Sequence, residues 1–230
     1  MCVPFIGFQP ALMAFLEELK SHNQRDWFAA NKQRYETDVL FPTLRFVEAF
    51  QPWLKKISPC FVAVPKRVGG SVMRIYRDTR FSKDKTPYKT NVGIHFRHQL
   101  GKDMHCPGFY LHLEPGNCFC GAGIWHPDNA TLNKIRHHID EYPTRWKRAR
   151  DHKAFRTRFE LAGDALKRRP RGYEDDHRFI EDLKRKDHIG IQPLHAEAII
   201  EGEFINTIAT SFQASRAYMR FLCDALRLPF

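Results

Sequence analysis

The stretches NVGIHFRH (Asn91–His98) and FYLHLE (Phe109–Glu114) decide the fold. In both, apolar and polar residues alternate, the period of a half-buried strand whose successive side chains point to opposite faces. Val92, Ile94 and Phe96 pattern with Phe109, Leu111 and Leu113 as one apolar face. His95, Arg97, Tyr110, His112 and Glu114 fall on the other. Strands of this kind belong to an antiparallel sheet with one covered side.

Upstream, SVMRIYRD (Ser71–Asp78) continues the alternation, with Met73 and Ile75 on the apolar side and Arg74, Tyr76 and Asp78 on the polar side. Further strands are expected near Phe61–Val64 and Cys118–Trp125. The run Glu114-Pro-Gly-Asn117 is a turn that makes the last two strands a hairpin. His188–Gln192 reads as one short extra strand.

Both flanks are helical. Leu12, Phe15, Leu16 and Leu19 follow Pro10 at helical spacing. Asn23 is the expected cap of a second helix carrying Trp27, Phe28, Tyr35 and Val39, and Pro42 kinks the chain or starts a new helix that runs to Ile57. Helical spacing returns after Asp128, through Leu132, Ile135 and Ile139 and then Trp146 and Ala149. Asp176 is read as the cap of a short helix holding Phe179, Ile180 and Leu183. One or two amphipathic helices from Phe204 to Leu226 follow. Helices, then strands, then helices, without βαβ alternation, mean α+β. The expectation is an antiparallel sheet of about five strands in the middle of the chain, packed on one face by N- and C-terminal helices. Residues 1–230 are read as a single compact domain, helical over 1–59, sheet-forming over 60–126 and mainly helical over 127–230.

Composition narrows the class. With 43% apolar and 13% aromatic residues the chain is no disordered segment, and 13 Gly with 14 Pro exclude a collagen-like one. No apolar run reaches the ~18 residues of a spanning helix, so no membrane partner is expected. Met1–Leu16 lacks charge, but it has no basic start and carries Pro4 and Pro10, so it is read as part of the fold. The six Cys, at 2, 60, 106, 118, 120 and 223, form no Cys-x-x-Cys pair and read as small buried residues of a cytoplasmic protein. No phosphate loop, dinucleotide glycine fingerprint, zinc-protease motif or nucleophile elbow is present, and no cofactor is expected.

The net charge of +11 is uneven. Residues 60–126 carry 10 basic and 4 acidic side chains, and 127–186 carry 17 and 11. In the second region bases and acids alternate as along a solvated helix. In the first they concentrate in RDTRFSKDKTPYKT (Arg77–Thr90), longer than a hairpin link requires. Its Arg, Lys and hydroxyl side chains suit phosphate or carboxylate.

The polar sheet face is unlike an ordinary solvated one, because its groups donate, accept and titrate. The candidate ligand-binding residues are Arg74, Tyr76, Arg77, Asp78, Arg80, Lys83, Lys85, Tyr88, Lys89, His95, Arg97 and Tyr110. Arg74, Arg77, Arg80 and Lys85 would fix an anion. His112, oriented by Glu114, is the candidate general acid or base, since imidazole exchanges protons near neutral pH. His112-x-Glu114 with His95 also has the flavour of a metal site, but two ligands on one strand do not make one, and no metal is assigned.

Three runs carry a family resemblance: RIYRDTRFSKDKTPYKT (Arg74–Thr90), GKDMHCPGFYLHLEPG (Gly101–Gly116) and GAGIWHP (Gly121–Pro127). Together with the helical opening FQPALMAFLEELKSHNQRDWFAANKQRYE and the distal LKRRPRGYEDDHRFIEDLKRK (Leu166–Lys186), they resemble domain-of-unknown-function family 2461. The resemblance implies a single-domain cytosolic protein and argues against thiol chemistry at Cys106 or Cys120; it implies no activity. The functional expectation is a small anionic ligand, phosphate- or carboxylate-bearing, held on the polar sheet face, with acid/base chemistry at His112. The alternative expectation is a nucleic-acid-binding module that uses the basic loop 77–90.

Overall fold

The computed structural model describes residues 5–101 and 106–230. Cys2 and Pro4, and residues 102–105 of the family run, lie outside the described residues. The helical opening comprises α1 (Pro10–Ser21), α2 (Arg25–Ala30), α3 (Lys32–Arg34), a π-helical turn (Tyr35–Leu40) and α4 (Phe41–Ile57). The strands β1 (Val92–Arg97), β2 (Gly108–Leu113) and β3 (Phe119–Ile124) follow. Next come α5 (Asn129–Glu141), α6 (Pro143–Arg150), α7 (Lys153–Arg158), β4 (Glu160–Ala162), α8 (Ile180–Lys184) and β5 (His188–Pro193). The chain closes with α9 (Ala196–Ile200), α10 (Phe204–Ala214) and α11 (Arg216–Ala225).

The five strands form one antiparallel sheet in the order β1-β2-β3-β5-β4. The fold class is therefore α+β. Ile94, Phe96, Phe109, Leu111, Cys120 and Ala122 point to the back of the sheet and are fully buried. Phe50 of α4 stacks on Phe96 at 5.0 Å, and Phe212 of α10 lies 4.8 Å from Phe109. The helices from both ends of the chain thus cover the same face. Each large ring buried there contributes on the order of 2–3 kcal/mol.

Two expected strands are corrected. Phe61–Val64 and Ser71–Arg77 form only isolated bridges, Phe61 to His98 and Val72 to Ile94. The reason is a turn through residues 66–70, which splits the outer edge of β1 between two short pieces. Val62 N–H donates to Arg97 O at one end, and Met73 N–H donates to Gly93 O at the other. Beyond Met73 the chain leaves the sheet and bridges to itself, Tyr76 to Tyr88. Residues 74–90 therefore stand out as an arm. The remaining places in the sheet are taken by β4 and by β5, the short strand expected at His188.

Two caps also differ. Asn23 does not cap α2; its side-chain amide donates to Tyr88 O at 2.9 Å and accepts Tyr88 N–H at 3.1 Å, so it clasps the arm. Asp176 caps nothing, since α8 begins at Ile180 after Phe179. Pro42 sits in the first turn of α4, directly after the π-helical turn. A proline has no N–H to give and crowds the carbonyl four residues back, and a widened turn relieves both.

Behind β5 lies a buried polar knot. Asp182 accepts from Trp146 Nε1 at 3.0 Å and pairs with Arg150. His188 is packed edge-on to Trp146 at 6.0 Å, with no hydrogen-bond partner for either ring nitrogen among the described residues. Cys60, Cys118, Cys120 and Cys223 are buried and unbridged. Among the described residues, no helix is long and apolar enough to cross a membrane.

Candidate functional site

The front of the sheet is paved with glycine. Gly93 of β1 pairs with His112 of β2, Tyr110 of β2 pairs with Gly121 of β3, and Gly108 pairs with both Arg97 and Gly123. A glycine inside a strand weakens it and marks a place where something must approach the backbone. Here the missing side chains leave a hollow of about 270 Å³, lined by His95, Tyr110, His112, Met73, Phe119 and Trp125 among others. A β-carbon at Gly108 would stand 2.2 Å from His95 Nε2, and one at Gly93 would stand 2.8 Å from Tyr110 Oη. The hollow exists because those positions are bare.

At one end of the hollow, three polar groups form a hydrogen-bonded chain along β2. Glu114 Oε2 lies 3.2 Å from His112 Nε2, and His112 Nδ1 lies 3.0 Å from Tyr110 Oη. An ionised carboxylate can only accept, so Nε2 carries the proton and donates to Glu114. Nδ1 then offers its lone pair and accepts from the Tyr110 hydroxyl, with Asn91 Nδ2 a longer second donor at 3.5 Å. The His112 ring is stacked on Phe119, with centroids 4.6 Å apart. Burial alone would raise the Glu114 pKa, but hydrogen bonds from His112, Thr90 and Asn117 together leave it below the usual value. The Thr90 hydroxyl donates to Glu114 Oε1 at 3.1 Å.

The other walls are uncharged at neutral pH. Burial, and then the charge of Arg97, push the His95 pKa down to about 4. Burial, and then Glu114, push Tyr110 up to about 12. Arg97 stands two residues beyond His95 on the same face, opposite Gly108, and is exposed. The hollow is therefore an apolar chamber with a carboxylate–imidazole–phenol chain at one end, and the charge of Arg97 reaches its His95 wall. Burial pushes the Cys120 thiol up to about 12, which makes it unreactive. Among the described residues, no three His, Cys, Asp or Glu side chains converge as metal ligands would.

The structure divides the expected site residues into two groups. His95, Arg97, Tyr110, His112 and Glu114 come together on the front of the sheet. Arg74, Tyr76, Arg77, Asp78, Arg80, Lys83, Lys85, Tyr88 and Lys89 lie along the arm. Met73, not Arg74, lines the hollow, because pairing of Val72 with Ile94 turns Met73 to the front beside Gly93. Most polar groups of the arm hold the arm itself. Arg77 bonds to Asp84 and Thr86, Arg80 grips both oxygens of Asp78 at 3.0 and 2.7 Å, and Lys85 Nζ donates to Thr79 O at 2.8 Å. These contacts, led by the Arg80 and Arg77 side chains respectively, hold Asp78 and Asp84 down to about 2. Tyr88 is buried against Phe28, with ring centroids 4.1 Å apart. Thr90 and Asn91 connect the base of the arm to Glu114 and His112.

Strand alternation did not point to the apolar walls, Met73, Phe119, Trp125 and Ile189. The signal that could have found them is the glycines at 93, 108, 121 and 123 in residues that otherwise read as strand. A family model described as "Conserved hypothetical protein (DUF2461)" matches residues 11–221 of the chain. No curated protein and no solved structure matches.

Proposed function

From the premise that the chain belongs to the DUF2461 family of conserved hypothetical proteins, we propose that it binds a small anionic molecule in the front-face hollow and exchanges a proton with it through His112. The single observation that carries this reading is the hollow itself, with Gly108 and Gly123 in its wall and the Glu114–His112–Tyr110 chain at one end. A volume of about 270 Å³ is near the lower end of small-molecule sites. Phe119, Trp125, Met73 and Ile189 suit an apolar body. Arg97, whose charge reaches the His95 wall, suits a carboxylate or phosphate head, because a guanidinium offers paired donors.

The roles divide by chemistry. Tyr110 takes a proton from the ligand as it passes its own to Nδ1, so the phenol ends neutral and the ligand has lost one proton. His112 takes that proton, and Glu114 stabilises the imidazolium that results. Neutral His95 is available as a hydrogen-bonding wall and adds no charge.

The test uses benzoate and phenyl phosphate as probes, with benzyl alcohol as the uncharged control and the Trp125 fluorescence and thermal midpoint as readouts. The reading expects saturable responses to the anions, little to the alcohol, and loss of the anion preference in Arg97→Ala. Equal responses to all three probes, or none to any, contradict it.

A further inference from the structure

The arm carries a second site that the front-face hollow does not use, and we infer that it is a contact surface for single-stranded nucleic acid. Three observations meet there. The first is charge: residues 74–90 hold six basic and two acidic side chains, and both acids are committed to Arg77 and Arg80. Among the described residues, Arg74, Lys83 and Lys89 make no ion pair, although Lys89 is half-buried. Burial, and then the neighbouring Arg74, make its ammonium less favourable, so an anion there would relieve both.

The second observation is aromatic. Phe81 at the tip is 95% exposed and Tyr76 is 55% exposed. Single exposed rings are ordinary, but these two flank a cationic segment whose tip is fixed by the Asp78–Arg80 and Arg77–Asp84 pairs. The Arg80 guanidinium stands over the Phe81 ring at 5.8 Å. A held ring with an open face is a stacking platform for a base, and only an unpaired base can reach it.

The third is shape. Two open hollows lie beside Arg77, one of about 350 Å³ with Lys20 and Lys89 in its wall, the other of about 720 Å³ with Arg25 and Lys85. The two share Asn23, Arg77 and Tyr88, so Lys20 of α1 and Arg25 of α2 stand with Arg77, Lys85 and Lys89 of the arm around adjoining hollows. Cations that follow a backbone beside aromatic rings that take bases are the recurring means of binding single strands without reading sequence.

The test is fluorescence anisotropy of the full chain with a labelled oligothymidylate and oligouridylate of ~15 nucleotides and a duplex of the same length, within the site sizes typical of such proteins. About four phosphate contacts predict roughly fiftyfold weaker binding between ~50 and ~200 mM salt. Phe81→Ala, at a fully exposed position, should keep the circular dichroism of the parent and weaken single-strand binding about five- to 150-fold. Lys83→Ala should flatten the salt dependence by about one contact. No binding of either single strand at low salt, duplex bound as well as single strand, or Phe81→Ala binding like the parent would each overturn the inference.

Discussion

Tyr110 Oη stands 3.0 Å from His112 Nδ1, although the two are alternate residues of one strand. Both project to the front, and the pleat brings their tips together over the bare backbone of Gly121 and Gly93. The contact fixes the imidazole from one side while Glu114 fixes it from the other. The neutral ring should therefore carry its proton on Nε2. Nitrogen-15 NMR of the imidazole above pH 8 should show that tautomer in the parent, and Glu114→Gln should perturb it far more than a substitution on the arm. A parent ring protonated on Nδ1 would break the proposed direction of proton transfer.

Gly108 sets the size of the hollow, since a β-carbon there would press on His95 Nε2. Gly108→Ala should displace the imidazole and cost roughly 1–3 kcal/mol of stability, the usual range for overpacking. The same substitution should abolish the response to benzoate while leaving the Tyr110–His112 contact in place. Calorimetry and titration of one variant check both. An undiminished benzoate response would mean that the probe binds elsewhere.

The α+β class and the strands β1 and β2 were legible because alternation over six residues admits one assignment. Residues 71–77 alternate just as well and 61–64 are apolar throughout, yet both pair only briefly, because a pattern of faces says nothing about whether a turn interrupts the edge. The Tyr110, His112 and Glu114 side of the site was legible for the same reason as the strands. The arm cations read as part of the same site because a long basic loop beside a polar strand face suits one anion, but past Met73 the chain leaves the sheet and carries them away from the hollow. The apolar walls come from four separate segments, and only folding brings Met73, Phe119, Trp125 and Ile189 to one place.

The buried histidines set the acid limit of the fold. Burial, and then Arg185 and Arg136, push the His188 pKa from 6.5 down to about 3, against a smaller opposing effect of Asp187. His95 moves the same way, to about 4. In this window the unfolded chain binds protons that the native one refuses, so stability is complete above pH 6.5 and is lost as the pH falls. Each histidine removes about 1.4 kcal/mol per pH unit until its native pKa is reached. Urea unfolding at pH 7 and pH 4.5 should show a loss of several kcal/mol. His188→Phe, which sacrifices no hydrogen bond, should recover roughly half of it. An unchanged acid limb in that variant would show that His188 is solvated in the native state.

A ligand in the proposed hollow lies against the glycine-bearing front of the sheet. Amide NMR of the labelled protein titrated with benzoate tests it directly. Saturable shifts are predicted at Gly93, Gly108, Gly121 and Gly123 and at the Trp125 indole, with Arg77–Lys89 unmoved. Shifts confined to Arg77–Lys89, with the four glycines still, would contradict it.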